Sequence, residues 1–297
     1  MATKAKTASK AKPKTKAKTA SQKTTAKVVS STAATSPLVT RLATVSPQSL
    51  IGEAVGTLGL ALVALTAPAD QPLATGIGLT VLLLGLMKVS GGHFNPAVTF
   101  GLWAINKLDT VKVPFYWAAQ LIGGLAALLI VGAYNGNGST LDFSNSLAWD
   151  WRIFFLQATG AAIFLFGLVA AIKNISTSSG RAAGIGLSFF VGLVVAGGLV
   201  TANATREQDL VQVQGKKEVS QAFAVQSTSL NPAIALGQTE RDVKAINDSI
   251  SGKATTEEQK EPTHFTLPTV LGALFGAALG ANLYLILAGL SWKSKEL

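Results

Sequence analysis

Two short stretches decide how this chain folds: SGGHFNPAVTFG at residues 90–101 and STSLNPAIALG at residues 227–237. Each contains Asn-Pro-Ala, and in each a glycine follows the asparagine by six positions. One copy would indicate only the start of a helix, because Asn is a favoured N-cap and Pro a favoured first helical residue. Two copies in the same setting indicate a duplicated structural unit.

Long apolar runs lie on both sides of each motif. Only 13% of the 297 residues are charged and 48% are apolar, whereas an ordinary soluble domain is about one quarter charged. Each run approaches the roughly 20 residues that cross a bilayer. We therefore predict six membrane-spanning helices, at residues 49–67, 72–89, 114–134, 151–172, 182–202 and 267–291. Buried helices of a soluble enzyme could imitate one or two such runs, but not six separated by polar segments.

The two halves of the chain have the same order of elements in opposite orientation. Each half has a span with one polar side chain, a second span, Asn-Pro-Ala and a third span; the polar residues are Glu53 and Gln157. The apolar stretch after each motif spans only about two to three turns, so we expect half-helices that enter from opposite faces. Three spans per half is an odd number, so the repeats are inverted and their broken helices meet at the midplane. The predicted membrane domain is 47–292, with repeats at 48–135 and 150–292 and polar insertions at 204–226 and 239–262.

The first 46 residues differ from the rest of the chain. They contain ten basic residues and no acidic or aromatic one, and we expect them to be disordered. Our interpretation is a solvated cytoplasmic tail that helps to fix orientation; an arm that binds anionic lipid or nucleic acid and an organelle transit peptide are the alternatives. The remaining chain is neutral, so a nucleic-acid partner is not expected for it.

The positions of the basic residues predict the orientation in the membrane. The short segments on the side of the tail contain Lys88, Lys107, Lys112, Lys173 and Arg181. Because short cytoplasmic loops are enriched in Lys and Arg, both termini are predicted to be cytoplasmic.

The residue inventory argues against enzymatic chemistry. The chain has no Cys and two His, so thiolate nucleophiles, thiolate metal sites and multi-histidine sites are not expected. We predict a protein that is not an enzyme and that has neither a metal nor a cofactor.

At this point the chain resembles a known family, the aquaporin or major intrinsic protein channels. The resemblance covers residues 48–292 and lies in GEAVGTLGL around Glu53, the two Asn-Pro-Ala stretches, YWAAQLIGG at 116–124, FLQATGAAIFLF around Gln157 and LPTVLGALFGAALGANLY. It implies an all-α membrane protein with six transmembrane helices and two re-entrant half-helices. It also implies a passive channel for water and small neutral solutes, assembled as a homotetramer in lipid.

The resemblance also implies roles for individual residues. The Asn95 and Asn231 amides would donate to passing water, while the positive ends of the half-helices repel cations. Glu53 and Gln157 would support the loop backbone, His93 would fix its loop rather than relay protons, and His264 would mark the outer end of the last span. The motif residues are Asn95, Pro96, Ala97, Asn231, Pro232 and Ala233. The predicted pore-lining backbone is that of Gly91, Gly92, His93, Phe94, Ser227, Thr228 and Ser229.

The outer constriction departs from the family pattern. Members usually have Arg directly after the second Asn-Pro-Ala, where this chain has Ile234. Spacing assigns the other constriction positions to Thr75, Thr228 and Gly198, with Gly197 as the alternative to the last. This set predicts a wide, weakly polar rim.

The sequence is compatible with more than one range of solutes. Ala235 and Thr239 replace the Asp and the basic residue of similar glycerol channels, which favours water. The alternatives are a broad facilitator of glycerol, urea or ammonia-like solutes and a secondary transporter, which would need a coupling site beyond Glu53. The insertion before Ser227 is a candidate lid over the outer mouth.

Overall fold

The computed structural model describes residues 44–68, 71–136, 141–253 and 261–289. The predicted tail lies outside these ranges, apart from residues 44–46. The described residues form ten helices: α1 (Pro47–Thr66), α2 (Pro72–Ser90), α3 (Pro96–Ala104), α4 (Lys112–Asn135), α5 (Trp151–Asn174), α6 (Ser178–Gln212), α7 (Gln221–Ala224), α8 (Pro232–Ala235), α9 (Val243–Ile250) and α10 (Leu267–Leu287).

Six of these helices, α1, α2, α4, α5, α6 and α10, are long and apolar enough to cross a membrane. Their starts follow from local chemistry: the Ser46 hydroxyl accepts a hydrogen bond from the Ser49 N–H, and Asp150 caps α5 through the Arg152 N–H. The prediction of an all-α membrane protein with six spans is confirmed, and most predicted bounds differ from the helices by a few residues.

The fifth span is the exception, because α6 continues past the predicted end at Ala202 to Gln212. The added turns contain good helix formers such as Arg, Glu, Gln and Leu. They are also anchored by Glu207, which accepts from Arg152 at 2.8 Å and from Lys216 at 2.7 Å. With 35 residues, α6 is about 52 Å long at 1.5 Å per residue, whereas the bilayer core is about 30 Å thick. Its polar end therefore extends beyond the apolar bundle.

The second half-helix is shorter than predicted. α3 has nine residues, whereas α8 has four. α8 ends early because the Thr263 hydroxyl lies 3.0 Å from the Ala235 carbonyl and 3.1 Å from that of Leu236. Thr263 also forms an isolated antiparallel bridge with Thr239. The chain therefore leaves α8 directly into the second insertion.

Small residues allow the helices to approach closely. A Cβ atom at Gly272, Gly276 or Gly280 of α10 would collide with backbone of α5. Likewise, a Cβ atom at Gly123 of α4 would collide with the Ala54 carbonyl of α1. Such contacts bring helices together in lipid, where packing replaces the hydrophobic effect between them.

The inserted segments fold into an ordered layer at the end of α6. This insertion layer comprises residues 203–226 and the described residues of 238–264. Its apolar cluster joins Val219, Phe223 and Ala224 to Val243 at the start of α9. The Asp150 carboxylate accepts from the Ala222 N–H at 3.1 Å, which ties the layer to the start of α5.

Candidate functional site

The two Asn-Pro-Ala motifs meet and bind each other reciprocally. The Asn95 Nδ2 donates to the Leu230 carbonyl at 2.9 Å, and the Asn231 Nδ2 donates to the Phe94 carbonyl at 2.9 Å. Each Asn Oδ1 accepts from the backbone N–H two residues ahead, that of Ala97 or Ala233. Because an amide NH₂ has two donor hydrogens, one hydrogen of each asparagine is left over from these contacts.

The residue before each asparagine has an unusual backbone. Phe94 and Leu230 have φ angles of 49° and 51°, in the left-handed region that non-glycine residues rarely adopt. Their side chains are buried on glycines in matching positions of the repeats: Phe94 lies against Gly56, and Leu230 lies against Gly160. In this conformation, the carbonyl of each residue accepts a hydrogen bond from the asparagine of the other motif.

Glu53 holds the first loop. Its carboxylate is fully buried and accepts from the His93 N–H at 3.0 Å and the Phe94 N–H at 2.7 Å. The Gln120 Nε2 of α4 donates to the same carboxylate at 2.8 Å. Sequence reasoning did not single out Gln120, although a lone amide in an apolar span was an available signal.

His93 is held within its loop by ring contacts. Its Nδ1 lies 3.0 Å from the Thr99 hydroxyl, and its ring centre lies 5.1 Å from that of Tyr116. Gly91 and Gly92 before it have φ angles of 96° and 72°, which let the chain turn from α2 into the motif.

Gln157 holds the second loop in a different way. Its Oε1 accepts from the Leu230 N–H at 3.3 Å, and its Nε2 lies 2.8 Å from the His264 Nε2. The other ring nitrogen of His264, Nδ1, lies 2.7 Å from the Glu240 Oε1. We expected His264 to mark only the end of a span, and no sequence pattern pointed to Glu240.

A cavity of about 450 Å³ opens beside the second motif. The four candidate constriction residues, Thr75, Gly198, Thr228 and Ile234, all line it, as does Gly197. Ser227 and Ser229 also line it, whereas its lining does not include residues 91–94. The side chains that line this cavity are apolar or uncharged polar, so a solute in it meets no ionised group from them.

The insertion layer contributes two residues to the lining of this cavity. Gln226 and Gln238 contribute to the lining, whereas residues 204–225, all described, contribute none. Of the segment before Ser227, only Gln226 contributes to the lining, so the predicted lid is not seen among the residues that line this cavity.

Comparison with known proteins shows which family the chain resembles. The model of the family described as major intrinsic protein matches residues 63–206. The probable aquaporin TIP1-2 of Oryza sativa subsp. japonica is 35% identical over 135 residues, which cover 42% of this chain and 51% of that protein. Aquaporin NIP2-2 of Zea mays is 27% identical over 183 residues, 58% of each chain. The X-ray structure of the aquaglyceroporin from Plasmodium falciparum matches with 23% identity and a TM-score of 0.48, over 80% of this chain and 94% of that one.

The apolar helices and the matched sequences define an integral, multi-pass membrane protein. The chain is therefore similar to the major intrinsic protein family over residues 63–206, just under half of its length, as the resemblance predicted. It spans about half the length of the first curated relative that it matches.

Proposed function

We propose that this protein is a passive channel for water and small neutral solutes that excludes ions. The observation on which this rests is the reciprocal bonding of the two motifs, Asn95 to Leu230 and Asn231 to Phe94, inside a bundle of apolar helices. Irregular backbone at membrane depth is tolerated where it is buried in protein or lines a water-filled path. The names of the relatives, which include aquaporins, support the same function.

Selection against ions follows from the groups at the motifs. The first N–H groups of α3 and α8 have no partner within their own helices, and α3 is long enough to add a helix dipole of about half a charge. A cation is repelled there and a neutral molecule is not. The remaining amide hydrogens of Asn95 and Asn231 can donate to one water oxygen. That water molecule then cannot have the same orientation as its neighbours, and this interrupts proton transfer along the row of water molecules in the pore.

The cavity favours a solute range broader than water. Thr75, Gly198, Thr228 and Ile234 provide neither an aromatic ring nor a charge, so they leave a rim with few obligatory hydrogen bonds. Glycerol-sized and urea-sized molecules should enter such a rim. A broad small-solute facilitator is therefore the second candidate function.

A secondary transporter is the less favoured alternative. Glu53 would be its natural ion-coupling group, but this carboxylate is buried and accepts from His93, Phe94 and Gln120. Three of the roughly four hydrogen bonds that a carboxylate can accept are therefore made to the loop and to α4.

Swelling of proteoliposomes tests these alternatives directly. Vesicles with the purified full chain should equilibrate faster than empty vesicles under a water gradient, and faster under glycerol and urea gradients if the rim is open. Flux should rise linearly with the gradient. Saturable uptake that depends on an ion gradient would replace the channel by a transporter, and flux equal to that of empty vesicles would overturn both.

Assembly and orientation belong to the same proposal. Apolar side chains such as Ile77, Val81 and Leu84 on α2 and Ile122 and Leu129 on α4 are exposed on the monomer. Lipid and three further copies of the chain would cover such faces in a homotetramer. Native mass spectrometry from nanodiscs should give a fourfold mass, and protease added outside sealed vesicles should spare cytoplasmic termini.

A further inference from the structure

The second Asn-Pro-Ala loop is held by a chain of hydrogen bonds that begins at a donor of fixed direction. The Leu230 N–H can only donate, and it faces the Gln157 Oε1 at 3.3 Å. The carbonyl of the same residue accepts from Asn95. Any change in the Leu230–Gln157 contact therefore acts on a residue that also binds the opposite motif.

This fixed donor shows which atom donates and which accepts in each later bond of the series. Because the oxygen of Gln157 faces Leu230, its NH₂ group faces the His264 Nε2 at 2.8 Å. Two donors cannot bond to each other, so the His264 Nε2 must be the unprotonated nitrogen of a neutral ring. The ring proton is then on Nδ1, where it is donated to the Glu240 Oε1 at 2.7 Å.

We infer that Glu240 of the insertion layer is a positioning residue for the second Asn-Pro-Ala loop: it fixes the tautomer of His264, which fixes the direction of the Gln157 amide that holds Leu230. The consequence for flux rests on the proposed channel function, whereas the tautomer does not.

The first repeat needs no such device. Glu53 offers two equivalent oxygens, so its direction is the same whichever way the carboxylate turns. Gln157 has one acceptor end and one donor end, and the wrong orientation would set its NH₂ group against the Leu230 N–H. The amide in the second repeat therefore requires a partner that accepts, which the Nδ1–H tautomer of His264 provides.

The side chains in this series of hydrogen bonds are buried, so water does not compete for their bonds. Gln157, His264 and Glu240 are 0%, 2% and 1% exposed. The second carboxylate oxygen of Glu240 has no hydrogen-bond partner among the described residues, so the side chain is engaged through His264. An unpaired buried carboxylate oxygen lowers the stability of the folded protein. Selection of the His264 tautomer would explain why this carboxylate is nevertheless buried here.

Among the described residues, two side chains are hydrogen-bonded to the ring of His264. Glu240 is its hydrogen-bonded titratable partner, and Gln157 on α5 is neutral. Arg241 follows Glu240, but its guanidinium lies 4.7 Å from the centre of the Phe223 ring and donates to the Phe223 carbonyl. A proton added to the His264 Nε2 would face the Gln157 NH₂ group, turn the amide and break its bond to Leu230.

Nitrogen NMR of the full chain in nanodiscs reads the tautomer directly. The chain has two histidines, so ¹⁵N-histidine labelling gives two rings, and the His264→Gln variant identifies the signals of His264 by their loss. The His264 Nδ1 should carry the ring proton and its Nε2 should not. A neutral ring with the proton on Nε2 would overturn the inference.

Two substitutions of Glu240 separate positioning from packing. Glu240→Leu removes the acceptor, so the Nε2–H tautomer of His264 should appear. Water flux should fall about fivefold, a factor that corresponds to the net free energy of one hydrogen bond. Glu240→Gln keeps an acceptor oxygen, so this variant should keep the Nδ1–H tautomer of His264 and the water flux of the wild type. An unchanged tautomer in Glu240→Leu would contradict the inference, and so would a changed tautomer with unchanged flux.

A reversal variant keeps the test decisive if Glu240→Leu does not fold. Gln157→Glu gives the second repeat the side chain of the first, and its two acceptor oxygens demand a proton on the His264 Nε2. That proton should appear in the NMR spectrum, and its absence would count against the chain of bonds. If the wild type conducts no solute at all, the channel proposal fails, while the tautomer measurements still test the positioning of Gln157.

Discussion

At the scale of single residues, the site depends on amide groups whose two ends do different work. Asn95 and Asn231 each accept a bond from their own helix and donate one to the opposite loop. Asp would keep the accepting end and lose the donating end, so the change isolates the contact between the two motifs.

Replacing Asn231 by Asp should weaken both ion exclusion and stability. The new carboxylate would face the Phe94 carbonyl at about the present 2.9 Å, and losing the donor should cost about 1–3 kcal/mol. It would also reduce the positive potential at the motifs. We expect a measurable cation leak in proteoliposomes and a lower unfolding temperature in detergent.

The matched control for this change is Asn106→Asp. Asn106 is an exposed residue in the loop after α3, with a φ angle of 59° that Asp also tolerates. It should leave leak and stability unchanged. Equal ion exclusion by Asn231→Asp and the wild type would contradict the role of the amides.

The sequence predicted part of this site at the level of residues. The Asn-Pro-Ala copies, Glu53 and Gln157 were recognisable because their spacing repeats and polar groups are rare in apolar spans. Glu240 was not, because it lies in a polar insertion where a carboxylate is unremarkable. Its role depends on a contact with His264, 24 positions away. A contact between residues so far apart leaves no recognisable pattern in the sequence around either of them.

At the scale of helices, two buried glycines determine where the loops can lie. A Cβ atom at Gly56 of α1 would overlap the Phe94 ring, and one at Gly160 of α5 would overlap the Leu230 side chain. α1 and α5 therefore act as matching seats for the residues that precede the two asparagines.

Gly56→Ala should displace Phe94 and lower both stability and flux. Overpacking of this kind typically costs about 1–3 kcal/mol. Gly85→Ala is the control, since nothing lies within 4 Å of a Cβ atom at this helical glycine. Unfolding temperatures of both variants and stopped-flow water flux measure the effect; equal values for the two variants would contradict a seat at Gly56.

The extension of α6 should depend on Glu207. This carboxylate is 1% exposed, while the side chains of its partners Arg152 and Lys216 are 44% and 37% exposed. Because the cations are partly solvated, we expect Glu207→Ala to cost only about 1 kcal/mol. Hydrogen exchange should accelerate at residues 203–226.

Asp248→Ala is the comparison for Glu207. Its ion pair with Lys253 is looser, at 3.6 Å, and Lys253 is 72% exposed. We expect little change in exchange from this variant. Equal protection of residues 203–226 in Glu207→Ala and the wild type would show that the helix extension is stable without its ion pairs.

The helix scale also shows where sequence periodicity stops being informative. The six spans were predictable because apolar length is a strong signal. The extra turns of α6 and the shortness of α8 were not, because both ends are decided by contacts with the insertion layer: Glu207 with Arg152, and Thr263 with the Ala235 carbonyl.

At the scale of the whole molecule, one uncharged cavity is expected to set the solute range. Gly198 lies in its wall, and a Cβ atom there would meet no atom within 4 Å. A larger side chain would therefore project into open space without disturbing the helices.

Gly198→Leu should narrow the rim and lower glycerol and urea flux at least several-fold, with a smaller loss of water flux. Gly85→Leu adds the same bulk at an open glycine outside the cavity lining and should change none of the fluxes. Proteoliposome swelling under the three gradients gives the comparison. Equal loss of all fluxes, or no loss of any, would contradict a size-selecting rim at Gly198.

The reciprocal bonds between the motifs also have a consequence in time. Asn95 binds a residue 135 positions later, and Asn231 binds one 137 positions earlier. At about 5–20 residues per second of synthesis, the first loop waits roughly 7–27 s for its partner to leave the ribosome. During that interval the Phe94 carbonyl and the Asn95 amide need temporary partners at membrane depth. The first half of the chain is therefore expected to stay loosely packed in the membrane until the second half arrives.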